Sequence, residues 1–272
     1  MRVAILGLGI IGSAWAGNLR ADGDTVTCWN RTPKGSPGEK PDPAAAIQGA
    51  ELIILVVADP PAVESVVAAL LPALKPGQIL MQSSTVDAAC NRACAQRIAP
   101  TGALFLEGPF TGSKPAALAR QTVFYMGGDL AILDQARPAL SRLAKAILHI
   151  GPVGMAASLK LAMNVNIALV AQSLCESLRL ARAGGISDAT YFEALKLNAS
   201  KSGVVDIKEA KLRAQDWSPQ FSLKHMHKDL NLAVKDLAVR LPLLESVRTI
   251  YAAGMAAGWN EDDFIGLMRL LP

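Results

Sequence analysis

The chain opens with an apolar run, three glycines spaced GxGxxG, and then an amphipathic stretch: Val3-Ala4-Ile5-Leu6-Gly7-Leu8-Gly9-Ile10-Ile11-Gly12. Few features narrow a fold as much, because each glycine answers a steric demand. Gly7 permits a tight turn out of a strand, Gly9 lets a ligand approach the backbone, and Gly12 lets the next helix pack on that strand. A helix starting there offers unpaired N–H groups that suit phosphates. Strand, turn and helix in this order predict a dinucleotide site at Gly7, Leu8, Gly9, Ile10, Ile11 and Gly12.

The tip of the second apolar run carries Asn30-Arg31-Thr32. A site for NAD usually holds Asp or Glu there, bonded to the ribose 2′-hydroxyl. Here an arginine follows an uncharged residue. Arg31 can fork onto a 2′-phosphate, Thr32 adds a hydroxyl, and Lys34 adds charge. The pattern predicts NADP(H) over NAD(H).

Seven short apolar runs read as strands: 3–8, 25–29, 51–57, 78–83, 103–108, 122–128 and 146–151. Alanine-rich amphipathic stretches separate most of them. This alternation predicts an α/β fold with a parallel sheet covered on both faces, a Rossmann-type doubly wound sheet. After Gly151 the strand signals stop. A helical pattern runs from Val153 to about Ala183, closed by Gly184-Gly185, and would be roughly 45 Å long. Its apolar residues lie on nearly all sides, which predicts a helix buried all round, linking two domains or sheathed by a second subunit. Further helices are expected near 188–197, 204–213, 222–240, 243–257 and 261–269. The expected organisation is an NADP-binding domain over 1–152 and an all-α domain over 153–272, for substrate binding and dimerisation.

Bulk properties exclude several classes. With 272 residues, 51% hydrophobic and 18% charged, the chain is globular rather than disordered. Net charge of +4 is too weak to point to nucleic acid but suits a small anionic ligand. Cys28, Cys90, Cys94 and Cys175 contain no CxxC pair, and the only histidines are His149, His225 and His227. No metal site or disulfide framework is expected. Cys90 and Cys94 read as reduced core thiols, and the cytoplasm is the expected compartment. The N-terminal apolar run is broken by glycines and lacks a cleavage site, so it does not read as a targeting signal. No uninterrupted apolar stretch is long enough to cross a membrane.

Ligands of doubly wound sheets bind at the C-terminal ends of the strands. Val57-Ala58-Asp59 ends the third run and Ser83-Ser84-Thr85 the fourth. Capping of the next helix is the expected use of Ser84 and Thr85, with facing the ligand as the alternative. Glu107-Gly108-Pro109-Phe110-Thr111-Gly112-Ser113-Lys114-Pro115 follows the fifth, where glycines let backbone N–H groups cradle a carboxylate. Lys160 and Asn164 lie four residues apart in an otherwise small, apolar helix. A buried lysine without a partner would cost several kcal/mol or lose its proton. The alternative is a lysine that snorkels to the surface.

These segments, in this order, resemble the β-hydroxyacid dehydrogenases over nearly the whole chain. The segments 7–32, SSTV (83–86), EGPFTGSKPAA (107–117), GPVGMAASLKLAMN (151–164) and FSLKHMHKDLNLA (221–233) carry the resemblance. The GSKPA wording is similar to the glyoxylate and succinic semialdehyde reductase branch. That resemblance implies hydride transfer between NADPH and a small anionic aldehyde or keto acid. It implies Lys160 as proton donor supported by Asn164. It places substrate contacts at Thr85, Thr111, Gly112, Ser113, Phe221 and Asp229, and cofactor contacts also at Val57, Ala58, Asp59, Thr85 and Lys228. Thr111 stands where that branch usually has serine, so an extra methyl enters the pocket. Lys224, His225 and His227 have no counterpart and read as surface charge. Other readings are a 3-hydroxyisobutyrate-like dehydrogenase, an imine reductase, which usually replaces the lysine, or a non-catalytic NADP-binding sensor. The long apolar helix suggests a homodimer or higher homo-oligomer.

Overall fold

A computed structural model describes residues 1–236 and 240–272. The chain falls into two compact units, Met1–Leu161 and Ala162–Pro272.

In the first unit eight strands form one sheet: β1 (Arg2–Leu6), β2 (Thr25–Trp29), β3 (Leu52–Leu55), β4 (Ile79–Gln82), β5 (Leu104–Glu107), β6 (Phe110–Thr111), β7 (Thr122–Gly127) and β8 (Ala144–Gly151). Their order is β2-β1-β3-β4-β5-β7-β6, with β8 also paired to β7. Helices α1 (Ile10–Ala21), α3 (Pro60–Leu70), α4 (Ala88–Ile98) and α6 (Leu130–Leu140) connect strands, with single turns at α2 (Pro43–Ala46) and α5 (Lys114–Leu118). Successive strand residues point to opposite faces, so two cores form. Val3, Ile5, Ile54 and Met81 meet Trp15 and Leu19 of α1 and Leu133 and Leu140 of α6. Ala4, Leu6, Ile53, Leu55 and Leu80 meet Val63 and Val67 of α3 and Cys94 and Ile98 of α4. This is the expected doubly wound arrangement, with all seven expected strands present.

Two details differ from the sequence expectation. β6 has two residues, too few to show any alternation. The sheet is also not wholly parallel: β7 runs antiparallel to both β5 and β6. Between β5 and β7 only β6 and the five-residue α5 intervene. Neither is a crossover helix able to carry the chain back for a parallel strand.

Four aspartates start helices of this unit. Asp42, Asp59, Asp87 and Asp129 accept from first-turn N–H groups of α2, α3, α4 and α6, each worth about 1 kcal/mol. Asp87 is therefore the cap of α4. The expected capping by Ser84 is not found: its hydroxyl accepts instead from the Val57 N–H at 2.8 Å. The hydroxyl sits beside β3, out of reach of the helix start.

Helix α7 (Met155–Ala183) begins in the first unit and continues into the second. It is not buried all round: Met155 and Met163 are exposed and Leu180 is 75% exposed. The described chain covers only part of its apolar circumference. Beyond it come α8 (Asp188–Lys196), α9 (Gly203–Ala214), α10 (Leu223–Asp236) and α11 (Pro242–Ala256), then a 3₁₀ helix at Phe264–Leu270. The expected α-helix near 261–269 is thus this tighter helix, whose start is capped by Asp263. Of the expected helix 222–240, residues 237–239, with Leu237 on its apolar face, lie outside the described residues. On that face Met226 and Leu230 are buried, but Val234 is exposed. The core of the second unit includes Leu174, Leu178, Phe192, Leu212, Tyr251 and Ile265. Within it Lys208 pairs with Asp263 at 2.8 Å, and both are buried. All four cysteines are free and buried, as expected for Cys90 and Cys94.

Candidate active site

The glycine turn has the predicted geometry. Gly7 takes φ +109°, and a Cβ there would lie 2.1 Å from the Val56 carbonyl oxygen. A Cβ on Gly12 would lie 1.9 Å from the Gly7 carbonyl oxygen, so α1 packs against the turn itself. A Cβ on Gly9 would meet open space, and Ile10 beside it is exposed. α1 starts after Gly9 with no capping side chain and no acid in its first turn. An open backbone cradle at an uncapped, acid-free helix start fits a pyrophosphate.

Asn30 holds this turn to the tip of β2. Its Oδ1 accepts from the Leu8 N–H at 2.8 Å, and its Nδ2 donates to the Thr32 carbonyl at 2.7 Å. Arg31, Thr32 and Lys34 are exposed beside it. Glu39 accepts from the Lys34 and Ser36 N–H groups, which hold its carboxyl below the usual range. Its charge is turned onto the loop backbone.

At the end of β3, Val57 is half-buried and Ala58 exposed, while Asp59 caps α3 through the Ala62 N–H at 2.9 Å. Thr85 is half-buried just past β4. Thr111 lies on β6 opposite Val123, and Gly112 takes φ +127°. Ser113 precedes α5 and makes no side-chain cap bond. The first unit thus carries the predicted cofactor residues on the C-terminal sides of β1–β3 and Thr85 just past β4.

Between these strand ends and α7 lies a polar group to which the sequence reading gave no role. Glu107, at the end of β5, is fully buried. Its Oε1 accepts from the Gly154 and Ala156 N–H groups, both at 2.8 Å, and its Oε2 accepts from Asn91 Nδ2 at 2.6 Å. Asn91 Oδ1 in turn accepts from Gln82 Nε2 at 2.8 Å. Burial pushes the Glu107 carboxyl up, while hydrogen bonds from Ala156, Gly154 and Asn91 oppose that shift. The only sequence signal was an acid closing an apolar strand.

Lys160 is 8% exposed, so it does not snorkel to solvent. In the second unit Asn164, 2% exposed, donates through Nδ2 to Asp229 Oδ2 at 2.6 Å. Asp229 is equally buried, and its Oδ1 pairs with Lys228 Nζ at 2.9 Å. The structure therefore links Asn164, Lys228 and Asp229 directly. Phe221 is half-buried, its ring nearly parallel to that of His225 with centroids 6.2 Å apart. Lys224 pairs with Glu261 at the surface. His225 and His227 are not surface charges: both are half-buried, and burial, ahead of nearby cations, holds them below their usual pKa.

Residues 2–151 match the family described as the NAD binding domain of 6-phosphogluconate dehydrogenase. Residues 154–271 match that described as NAD-binding of NADP-dependent 3-hydroxyisobutyrate dehydrogenase. Glyoxylate/succinic semialdehyde reductase 1 of Arabidopsis thaliana is 31% identical over 99% of this chain and 98% of its own length. A structure of Mycobacterium tuberculosis 3-hydroxyisobutyrate dehydrogenase with L-serine superposes with a TM-score of 0.91 at 26% identity, covering 100% of this chain and 99% of that one. An imine reductase from Myxococcus stipitatus with NAD+ shares the fold at a TM-score of 0.68 and 19% identity, covering 100% and 99%.

Proposed function

Because the chain belongs to the β-hydroxyacid dehydrogenase family, we propose that it reduces a short aldehyde or keto acid, of the glyoxylate or succinic semialdehyde type, with NADPH. Membership makes it a nicotinamide-dinucleotide-dependent oxidoreductase. When bound, the nicotinamide supplies the hydride. The protein supplies orientation, charge and a proton.

The observation that carries the reading is the buried lysine at the start of α7. As hydride reaches the carbonyl carbon, negative charge builds on its oxygen. The Lys160 ammonium stabilises that oxygen and gives it a proton; in the reverse direction the neutral amine takes the proton back. Asn164 supports this end of the site and is itself held by Asp229. The hydroxyls of Thr85 and Thr111 and the backbone of Gly112 and Ser113 hold the substrate carboxylate. Gly7 to Gly12 cradle the pyrophosphate, with Val57 and Ala58 alongside. Asn30 shapes the turn, while Arg31 and Thr32 take the 2′-phosphate. Asp59 serves this site by starting α3.

A 3-hydroxyisobutyrate-like dehydrogenase is the second reading, favoured by the likeness to the mycobacterial enzyme. We also propose a homodimer that covers the exposed apolar face of α7. Four free, buried thiols fit a reducing compartment such as the cytoplasm.

The test is turnover of glyoxylate, succinic semialdehyde, methylmalonate semialdehyde and cyclic imines with NADPH and with NADH. Reduction of aldehyde acids with NADPH is expected. Imines reduced while every acid fails would overturn the proposal. Lys160→Ala is expected to lower kcat by about 10²–10⁴ with NADPH binding retained. Wild-type kcat in that variant would remove Lys160 from the mechanism.

A further inference from the structure

The structure assigns Glu107 as a positioning residue for Lys160: its buried carboxylate anchors the start of α7, and Gln82 and Asn91 tie that anchor to the strand ends. The inference rests on the reading of Lys160 as the proton donor.

Helices usually take their cap from the residue just before them. Here the acceptor for the Gly154 and Ala156 N–H groups is Glu107 on β5, 47 and 49 residues earlier in the chain. Gly151 and Gly154 both take positive φ, +146° and +105°, on the way into the helix, so the local backbone alone does not fix the approach. Lys160 lies four residues beyond Ala156, about 6 Å along the axis. Whatever fixes the first turn in height and rotation fixes the root of the Lys160 side chain.

The anchor is wired with a fixed polarity. The Ser84 N–H donates to Gln82 Oε1, Gln82 Nε2 donates to Asn91 Oδ1, and Asn91 Nδ2 donates to Glu107 Oε2. Gly154, Ala156 and Asn91 all donate to the Glu107 carboxyl, so the acceptor-only carboxylate is the form the site is built for. Reversing either amide would set N–H against N–H. The fold also clears space for the carboxyl: a Cβ on Gly127 would lie 2.2 Å from Glu107 Oε1. The wiring begins beside Thr85 and ends at the helix of Lys160, so it spans the strand ends proposed to hold cofactor and substrate. A proton donor is sensitive to displacements of about 1 Å. A buried, directional chain is the kind of support that holds such a tolerance.

Glu107→Gln keeps shape and removes one acceptor. The new amide nitrogen then faces Asn91 Nδ2, or the Gly154 and Ala156 N–H groups. Adding Asn91→Asp restores complementarity: the new carboxylate accepts from Gln82 and from the amide at 107, whose oxygen still caps α7. The measurements are kcat and KM for the accepted aldehyde acid, the NADPH Kd and Tm, for the single and double variants beside Lys160→Ala. Glu107→Gln is expected to lower kcat about tenfold or more, with the NADPH Kd within about threefold. The double variant is expected to regain kcat to within about threefold of wild type. Wild-type kcat in Glu107→Gln, or a loss the second substitution does not recover, would overturn the assignment. If Glu107→Gln does not fold, Asn91→Ala carries the test, because it cuts the wiring and leaves the cap. A several-fold fall in its kcat supports the assignment and an unchanged kcat overturns it. An active Lys160→Ala would sink the proton-donor reading itself; an inactive one beside an unaffected Glu107→Gln sinks only the positioning role.

Discussion

At the scale of single residues, burial alone does not mark a lysine as chemical. The sequence argument for Lys160 was that a buried ammonium needs a purpose. Lys208 is more deeply buried than Lys160, and its purpose is structural. It pairs with Asp263 at 2.8 Å and lies 4.4 Å from the centre of the Phe264 ring. Burial pulls the pKa of Lys208 down while Asp263 holds it up. Nothing in the helical pattern of α9 distinguished Lys208 from a solvated residue, because its partner arrives from 55 residues away. The role proposed for Lys160 rests on the four other segments that accompany it in order along the chain. The role proposed for Arg31 rests on its spacing from the glycine turn. Its charge is exposed, and Glu39 nearby is committed to backbone N–H groups. Arg31→Glu is therefore expected to lower the NADPH-over-NADH ratio of kcat/KM by about tenfold or more, the loss of one charge-assisted fork. An unchanged ratio, measured by steady-state kinetics with each cofactor, would remove Arg31 from the preference.

At the scale of elements, strand and helix identities were readable because apolar runs and amphipathic stretches have different periods. What was not readable was direction and completeness. The antiparallel course of β7 follows from what the β5–β7 link lacks, and β6 pairs through only two residues. The tight start of α1 was readable, since only glycine meets it. Gly12→Ala would place a methyl 1.9 Å from the Gly7 carbonyl oxygen, where only a backbone shift relieves the clash. It is expected to cost about 1–3 kcal/mol of stability and to weaken NADPH binding. Gly17, in the same helix, has open space where its Cβ would be. Gly17→Ala is expected to stabilise by about 0.5–1 kcal/mol. Thermal melts and NADPH titration of the two variants check this pair. Equal effects of the two would show that helix propensity, rather than contact with the turn, governs the site.

At the scale of the whole molecule, acid should act on the chain in two stages. His225 and His227 have folded pKa values below the usual 6.5, through burial first. Asp22, Asp188 and Asp216 lie below the usual 3.8, through hydrogen bonds from Arg120, Arg182 and Lys211. In every case the unfolded chain binds protons more readily, so stability is lost as pH falls. Tm is expected to be flat from about pH 7 to 8, to decline below the histidine value of 6.5 and to fall again below the carboxylate value of 3.8. Glu107, whose carboxyl is pushed up by burial, opposes the trend and softens it. A Tm that rises on acidification from about pH 7 to 5 would contradict the histidine part. The four buried thiols have a consequence for handling the protein. Cys28, Cys90 and Cys94 lie in the first unit and Cys175 in the second, and burial raises the Cys175 thiol to about 12. A thiol-reactive reagent reaches each of them when its surroundings open. Mass spectrometry after a labelling pulse would then time the opening of the two units separately, with no probe added to the chain.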